Sequence, residues 1–242
     1  MDGIANLPSH DASDTRNVAG VLLFPAVLSL IAGSVDIISF LGLDGLFNAH
    51  ITGNLVIIAA HMIAGQAANM ALLLSVPIFI LVLALTSLLA ARLERAGIAS
   101  LRPLLLLQFL LIAGFLTLCI AEGSHMDLNV TNGIVAGLLG VSAMAVQNAL
   151  VQISLRGVPT TAVLTTTVTR FTVDATHVLL NRSAADVTTA RGRMKRSWPA
   201  IVGFTAGAAV GATFFATAGL WSLILPTALA LVALGMSGPA KP

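Results

Sequence analysis

The sequence predicts an all-α polytopic membrane protein, with six transmembrane helices in two inverted three-helix halves, each half carrying a re-entrant or broken-helix segment. Three observations carry that expectation. Hydrophobic residues make up 57% of the 242-residue chain and charged residues only 9%, against about 25% charged in soluble domains. Mean hydropathy is +0.97, and the apolar residues run in stretches near the roughly 20 residues that cross a bilayer core. Finally, lysine and arginine fall in loops whose positions decide which stretches cross.

The apolar stretches are Val18–Leu43, Met70–Ala91, Pro103–Ala121, Asn132–Ile153, Trp198–Ala218 and Leu220–Met236. A soluble helical bundle would carry charge along one face of each helix; here charge is missing from whole stretches. Residues 1–17 are polar, include Asp2, Asp11 and Asp14, and read as a disordered cytoplasmic tail. The first apolar stretch lacks the basic lead and small-residue end of a signal peptide, so it reads as a retained helix. Cys119, the single cysteine, lies inside an apolar stretch and cannot form an intramolecular disulfide. The net charge of +2 comes without a basic and aromatic cluster, so no nucleic-acid partner is expected.

Two polar segments interrupt the apolar pattern. One is Asn48-Ala-His50-Ile-Thr52-Gly53-Asn54, apolar from there to Gly65; the other is Thr165-Thr-Thr-Val-Thr169-Arg170-Phe171, continuing to Asn181. Aligning Thr52 with Thr169, an offset of 117 residues, brings the apolar stretches of the two halves into approximate register. The halves are 18–121 and 132–238, one integral membrane domain. If both polar segments crossed the bilayer, the Arg92, Arg95 and Arg102 loop and the Arg182–Arg196 loop would face opposite sides. Short cytoplasmic loops hold the Lys and Arg, so that arrangement is disfavoured.

Re-entrant segments remove the conflict. Six crossings put both loops, both termini and eleven of the twelve basic residues in the cytoplasm, and the Glu122, His125 and Asp127 loop outside. Three crossings per half give the halves opposite orientation, an architecture recurrent in transporters. Irregular backbone at membrane depth must then be buried in protein or line a wet cavity. The alternative reading of His50–Gly65 is a short, tilted span with ordinary packing.

Within this frame a few residues can carry chemistry. Asp36 sits in the first span, where an ionisable group costs on the order of 3 kcal/mol. It reads as a proton or cation site, or else as a residue near the interface. His50, Thr52, Gly53 and Asn54 gather an imidazole, a hydroxyl, a flexible glycine and an amide at one break. They serve either a bound ligand or the backbone groups the break leaves open. Arg170, Asp174 and His177 share a helical face by their spacing. Arg170 needs a carboxylate partner, Asp174 or Asp36, and acts as an anion-attracting or gating residue or as half of a structural pair. Gln147 and Asn148 bind a polar substrate or bond neighbouring helices. Gly133/Gly137 and Gly203/Gly207/Gly211 permit close helix approach. No metal-ligand spacing is sharp and no nucleotide motif is present, so neither metal nor cofactor is expected.

Gly33-x-x-Asp36 followed by His50-Ile-Thr52-Gly53-Asn54 resembles the first-half signature of the YoaK-like bacterial membrane proteins. Gln147-Asn148 and Thr165-Thr-Thr-Val-Thr169 resemble the matching second-half stretches, with Arg170 where that family often has glycine. The resemblance covers the chain from residue 18 onward. It implies a bacterial inner-membrane protein and supplies no substrate. The expected function is a small-solute or ion secondary transporter or channel, its pathway lined by Asp36, His50, Thr52, Gly53, Asn54, Gln147, Asn148, Thr169, Arg170 and Asp174. Its expected partners are the lipid bilayer, a small polar solute or ion, and a second copy of itself. The alternatives are an intramembrane enzyme acting on a lipid or small molecule, and a non-transporting assembly partner.

Overall fold

The computed structural model describes residues 12–123, 127–155, 164–180 and 184–238, the side chains of 12–22 and 184 excepted. The helices are α1 (Ala12–Gly42), α2 (Ile51–Ile63), α3 (Met70–Arg95), α4 (Leu101–Glu122), α5 (Thr131–Ser154), α6 (Leu164–Leu179), α7 (Ala184–Ala218) and α8 (Ile224–Met236), with a 3-10 turn over Gly219–Leu223. No strand occurs among the described residues. Five helical stretches are long and apolar enough to cross a membrane: Leu23–Gly42, Met70–Arg95, Leu101–Glu122, Thr131–Ser154 and Ala185–Met236. The first helix begins at Ala12, ahead of the expected start at Val18. The last stretch joins two expected spans, but the chain reverses inside it. Leu220, at the head of that turn, lies beside Gly42 at the end of α1, while Gly238 beyond α8 accepts from Arg102 at the start of α4 (3.3 Å). Gly219, at φ +57°, takes the left-handed conformation the reversal needs, which glycine adopts without strain.

Several hydroxyls in the apolar helices are satisfied locally. Ser87, Thr117, Ser142, Thr205 and Thr213 each donate to the carbonyl four residues back, so they cost little in lipid and mark no site. Arg92 and Arg95 fall in the last turn of α3, where cations suit the helix dipole.

The directions of the helices follow from their contacts. Gly203, Gly207 and Gly211 of α7 face Ala26, Leu30 and Ser34 of α1 in ascending order, so these two helices run parallel with backbones in contact. Side chains any larger would hold them apart. Between α4 and α5 the bonded pairs are Ser100–Ser154, Gln108–Gln147 and Glu122–Asn132, an antiparallel set. Ala71 at the head of α3 donates to Leu128 just before α5 (3.4 Å), and Ser100, just past α3, meets the end of α5; α3 and α5 run parallel. Helix α5 forms the centre, with every residue from Gly140 to Val151 buried.

Charge divides between the ends of this bundle. Arg92, Arg95, Arg102, Arg191, Arg193, Lys195 and Arg196 gather with Glu94 and Asp186 at one end, and Asp44, Glu122 and Asp127 at the other. The His125 position in the acidic loop lies outside the described residues, as do Arg156 and Arg182.

Candidate functional site

The polar segment after α1 turns back into the bundle. Asp44 (φ +46°) and Gly45 (φ +80°) are consecutive left-handed residues, a conformation that suits Gly and that Asp tolerates. They send the chain back alongside the last turns of α1 before α2 begins at Ile51. Its backbone N–H groups therefore stand at the level of Asp36, without helical partners, where lipid could not satisfy them. Asp36 supplies the acceptor. Its Oδ1 accepts from the N–H of Asn48 (2.9 Å) and of Ala49 (2.6 Å), and its Oδ2 lies 2.5 Å from His50 Nδ1. The carboxylate is only 3% exposed.

Because Oδ1 already accepts two N–H groups, Asp36 acts as the acceptor and the imidazole donates from Nδ1. His50 Nε2 is then the nitrogen left to take or release a proton. The ring is half-buried, edge-on to Phe204 of α7 at 5.1 Å and to Phe47 at 6.3 Å. An aromatic wall on one side and a carboxylate on the other fix its orientation.

Neighbouring amides hold the segment in place. Asn48 is fully buried and donates to Ser39 Oγ (2.6 Å). It fits against Gly140 of α5, where a Cβ would come within 2.4 Å of its amide nitrogen. Asn54 accepts from Phe47 N–H (2.9 Å) and donates to Phe47 C=O (2.8 Å) and Ser75 Oγ of α3 (3.0 Å). It thereby closes the break upon itself and ties it to the next span. Gly53 lies over the Phe47 ring, and Thr52 is exposed.

About two turns along α5 from Gly140 lies a second polar layer. Gln108 of α4 donates to Gln147 (2.7 Å), and Gln147 donates to the Leu28 carbonyl of α1 (2.9 Å). Gln147 thus cross-links three helices. Asn148 donates to Met144 C=O in its own helix (3.0 Å). Among the described residues, the buried oxygens of Gln108, Asn148, Asn48 and Ser29 receive no donor.

The second polar segment differs from the expectation. Helix α6 lies along the charged half of α7, and Asp174 pairs with Arg193 rather than with Arg170. The Arg193 Nε lies 3.1 and 3.0 Å from the two carboxylate oxygens, and its Nη2 also bonds Oδ1. Arg193 projects across the α6–α7 contact and meets the carboxylate two-pronged, the strong form of an arginine–carboxylate pair. Arg170 is exposed, and Asp36, its other expected partner, is engaged by His50 and the backbone. Thr169 is exposed and donates to Thr165 C=O (2.9 Å). The residues expected to line one pathway therefore form three groups, around Asp36, Gln147 and Asp174. Ser39, Ser75 and Gln108, all buried, were absent from the expected set.

The Arg193 hydrogen bond holds the Asp174 carboxyl below the usual carboxylate range; burial opposes this, and the charges of Arg193 and His177 reinforce it. A depressed carboxyl contributes stability above its unfolded value, about 3.9, and loses that contribution as pH falls through the lower folded value. Trp198, which lies against the α6–α7 contact, reports on it. With Trp221 replaced by Phe, Trp198 fluorescence should hold steady from pH 7 to 5 and change only below about 4. Asp174→Ala should show the altered spectrum already at pH 7. A wild-type spectrum for that variant would contradict the pairing.

These long apolar helices define a multi-pass α-helical membrane protein. The chain belongs to the family described as "Protein of unknown function (DUF1275)", whose family model matches residues 24–236. No curated protein and no solved structure gives a match.

Proposed function

We propose that the protein is a small-solute or ion secondary transporter or channel of the bacterial cytoplasmic membrane, in which Asp36 and His50 form a proton-exchanging pair at the tip of a re-entrant segment. The observation that carries this reading is the pair formed by buried Asp36 and half-buried His50. A carboxylate and an imidazole at the end of a broken segment are the groups a proton-coupled site needs. The YoaK-like resemblance is compatible with the family match and adds no substrate.

The inverted six-crossing topology has support in the contacts. Exchanging halves pairs α1 with α5, α2 with α6, α3 with α7, and α4 with α8. Under that exchange the α1–α7 packing becomes α5–α3, α1–α8 becomes α5–α4, and α2–α3 becomes α6–α7, while α4–α8 and α1–α5 map onto themselves; all of these are contacts of the fold. Thr86 and Ala90, buried in α3, stand 117 residues before Gly203 and Gly207, small residues at matching positions. The basic end is then cytoplasmic, with both termini there. The chemistry is not repeated: at the same offset Asp36 falls on Ile153 and His50 on Thr167. One half carries the titratable pair, and the other carries Thr169, Arg170 and Asp174 toward the cytoplasmic mouth. Thr52, Gly53 and Asn54 shape the outer half of the pathway, and Gln147 and Asn148 its inner half.

The test is reconstitution into vesicles with a pH-sensitive dye inside and a panel of ions and small polar solutes outside. Wild type should move at least one of them with a change in internal pH, and Asp36→Asn should fall to the level of empty vesicles while remaining folded. Folded wild type that moves nothing across the panel but turns over lipid would replace this reading with an intramembrane enzyme. Loss of neither activity on replacing Asp36 and His50 would favour an assembly partner.

A further inference from the structure

We infer that the groove between α6 and the charged half of α7 binds an anionic phospholipid. Phe171, Val178, Arg191, Met194, Lys195 and Trp198 line it. On α7, Arg191, Met194, Lys195 and Trp198 recur at spacings of three and four and so share one face; Phe171 and Val178, two turns apart, do the same on α6. The floor is apolar and the rim carries two cations, whose long stems add to the apolar wall while their heads reach outward. Arg191 and Lys195 are exposed, and among the described residues neither forms an ion pair. Arg193, between them in sequence, is by contrast taken up by Asp174.

The groove also sits at the right depth. Trp198, 45% exposed, marks where α7 passes from charged to apolar sequence, the position tryptophan favours at a membrane–water interface. A soluble anion would have no use for the apolar floor, and an apolar peptide none for the cationic rim. A phospholipid with a negatively charged head uses both: its phosphate meets Arg191 and Lys195, and an acyl chain lies against Phe171, Met194 and Trp198. Basic pockets beside membrane helices on the cytoplasmic face recognise such head groups. The site is separate from the Asp36–His50 pair and stands whether or not the protein transports.

The experiment uses the full chain in detergent micelles, with retained lipid measured by native mass spectrometry after adding phosphatidylglycerol or phosphatidylcholine. Wild type should retain phosphatidylglycerol preferentially. The Arg191→Gln/Lys195→Gln variant should bind it about thirtyfold more weakly, in keeping with two surface cations near an anionic head, with its thermal midpoint in phosphatidylcholine unchanged. Arg92→Gln/Arg95→Gln, at the same end of the bundle, should retain it as wild type does. Equal retention of the two lipids, undiminished retention by the first variant, or an equal loss in the second would overturn the inference. So would complete displacement by inorganic phosphate, which marks a simple anion site, or a change from dimer to monomer in the first variant, which marks a second copy as the occupant.

Discussion

Asp36→Ala loses on the order of 2–6 kcal/mol of stability, because two backbone N–H groups then lie buried without an acceptor at about 1–3 kcal/mol each and the half-buried His50 ring loses its own acceptor. The donors are the backbone of Asn48 and Ala49 and the ring of His50. Water cannot replace the carboxylate at the backbone donors, because Asn48 and Ala49 are buried. The effect belongs among the large single-residue losses, whose cause is an unsatisfied buried polar group rather than lost packing. Asp36→Asn keeps one carbonyl oxygen for the two backbone donors and turns an amide toward His50, so it should lose less. Denaturant unfolding in micelles compares the three proteins. Wild-type stability for Asp36→Ala would mean that the carboxylate does not hold the first polar segment.

Adding a single methyl group where α1 meets α7 should be nearly as damaging. A Cβ at Gly207 would stand 2.2 Å from the Leu30 carbonyl oxygen, one at Gly203 2.4 Å from that of Ala26, and one at Gly33 2.2 Å from that of Phe204. These neighbours are backbone, so neither helix can yield by rotating a side chain; the helices must separate along their length. Overpacking costs about 1–3 kcal/mol and occasionally more. Gly207→Ala should reach the top of that range, and Gly207→Leu should prevent the two helices from docking. Gly235→Ala serves as the control, since a Cβ there meets nothing within 4 Å and alanine is the better helix former by up to about 1 kcal/mol. Thermal midpoints in micelles should fall for Gly33→Ala and Gly207→Ala and hold or rise for Gly235→Ala. Equal midpoints for all three would refute the backbone contact.

Length and hydropathy were enough to read the membrane helices from the sequence, because lipid demands long uncharged stretches whatever their partners. The first polar segment was legible for the same reason: His50, Thr52 and Asn54 stand out in an apolar setting, as does Asp36. Their union was not legible, since it depends on a reversal at Asp44–Gly45 that brings residues over a dozen positions apart onto one carboxylate. Ser39, Ser75 and Gln108 escaped because a lone hydroxyl or amide in a span usually bonds its own helix, and only tertiary contact tells these from Ser87 or Thr117. The spacing of Arg170 and Asp174 favoured a local pair. The actual partner, Arg193, comes from another helix, and sequence spacing carries no information about it. Gly219 was legible only as a boundary between two spans, and its φ supplies the reason for the break.

In the proposed topology the first polar segment turns back while the helices around it cross, so that the halves oppose one another. Single cysteines at Ala99, Gly192 and Ala67, with Cys119 replaced by alanine, test it in right-side-out and inverted vesicles with a membrane-impermeant thiol reagent. The account predicts labelling of the 99 and 192 positions from the cytoplasmic side and of 67 from the outside. Labelling of 99 and 192 from opposite sides would contradict it, and with it the placement of Asp36 and His50 at the tip of a re-entrant segment.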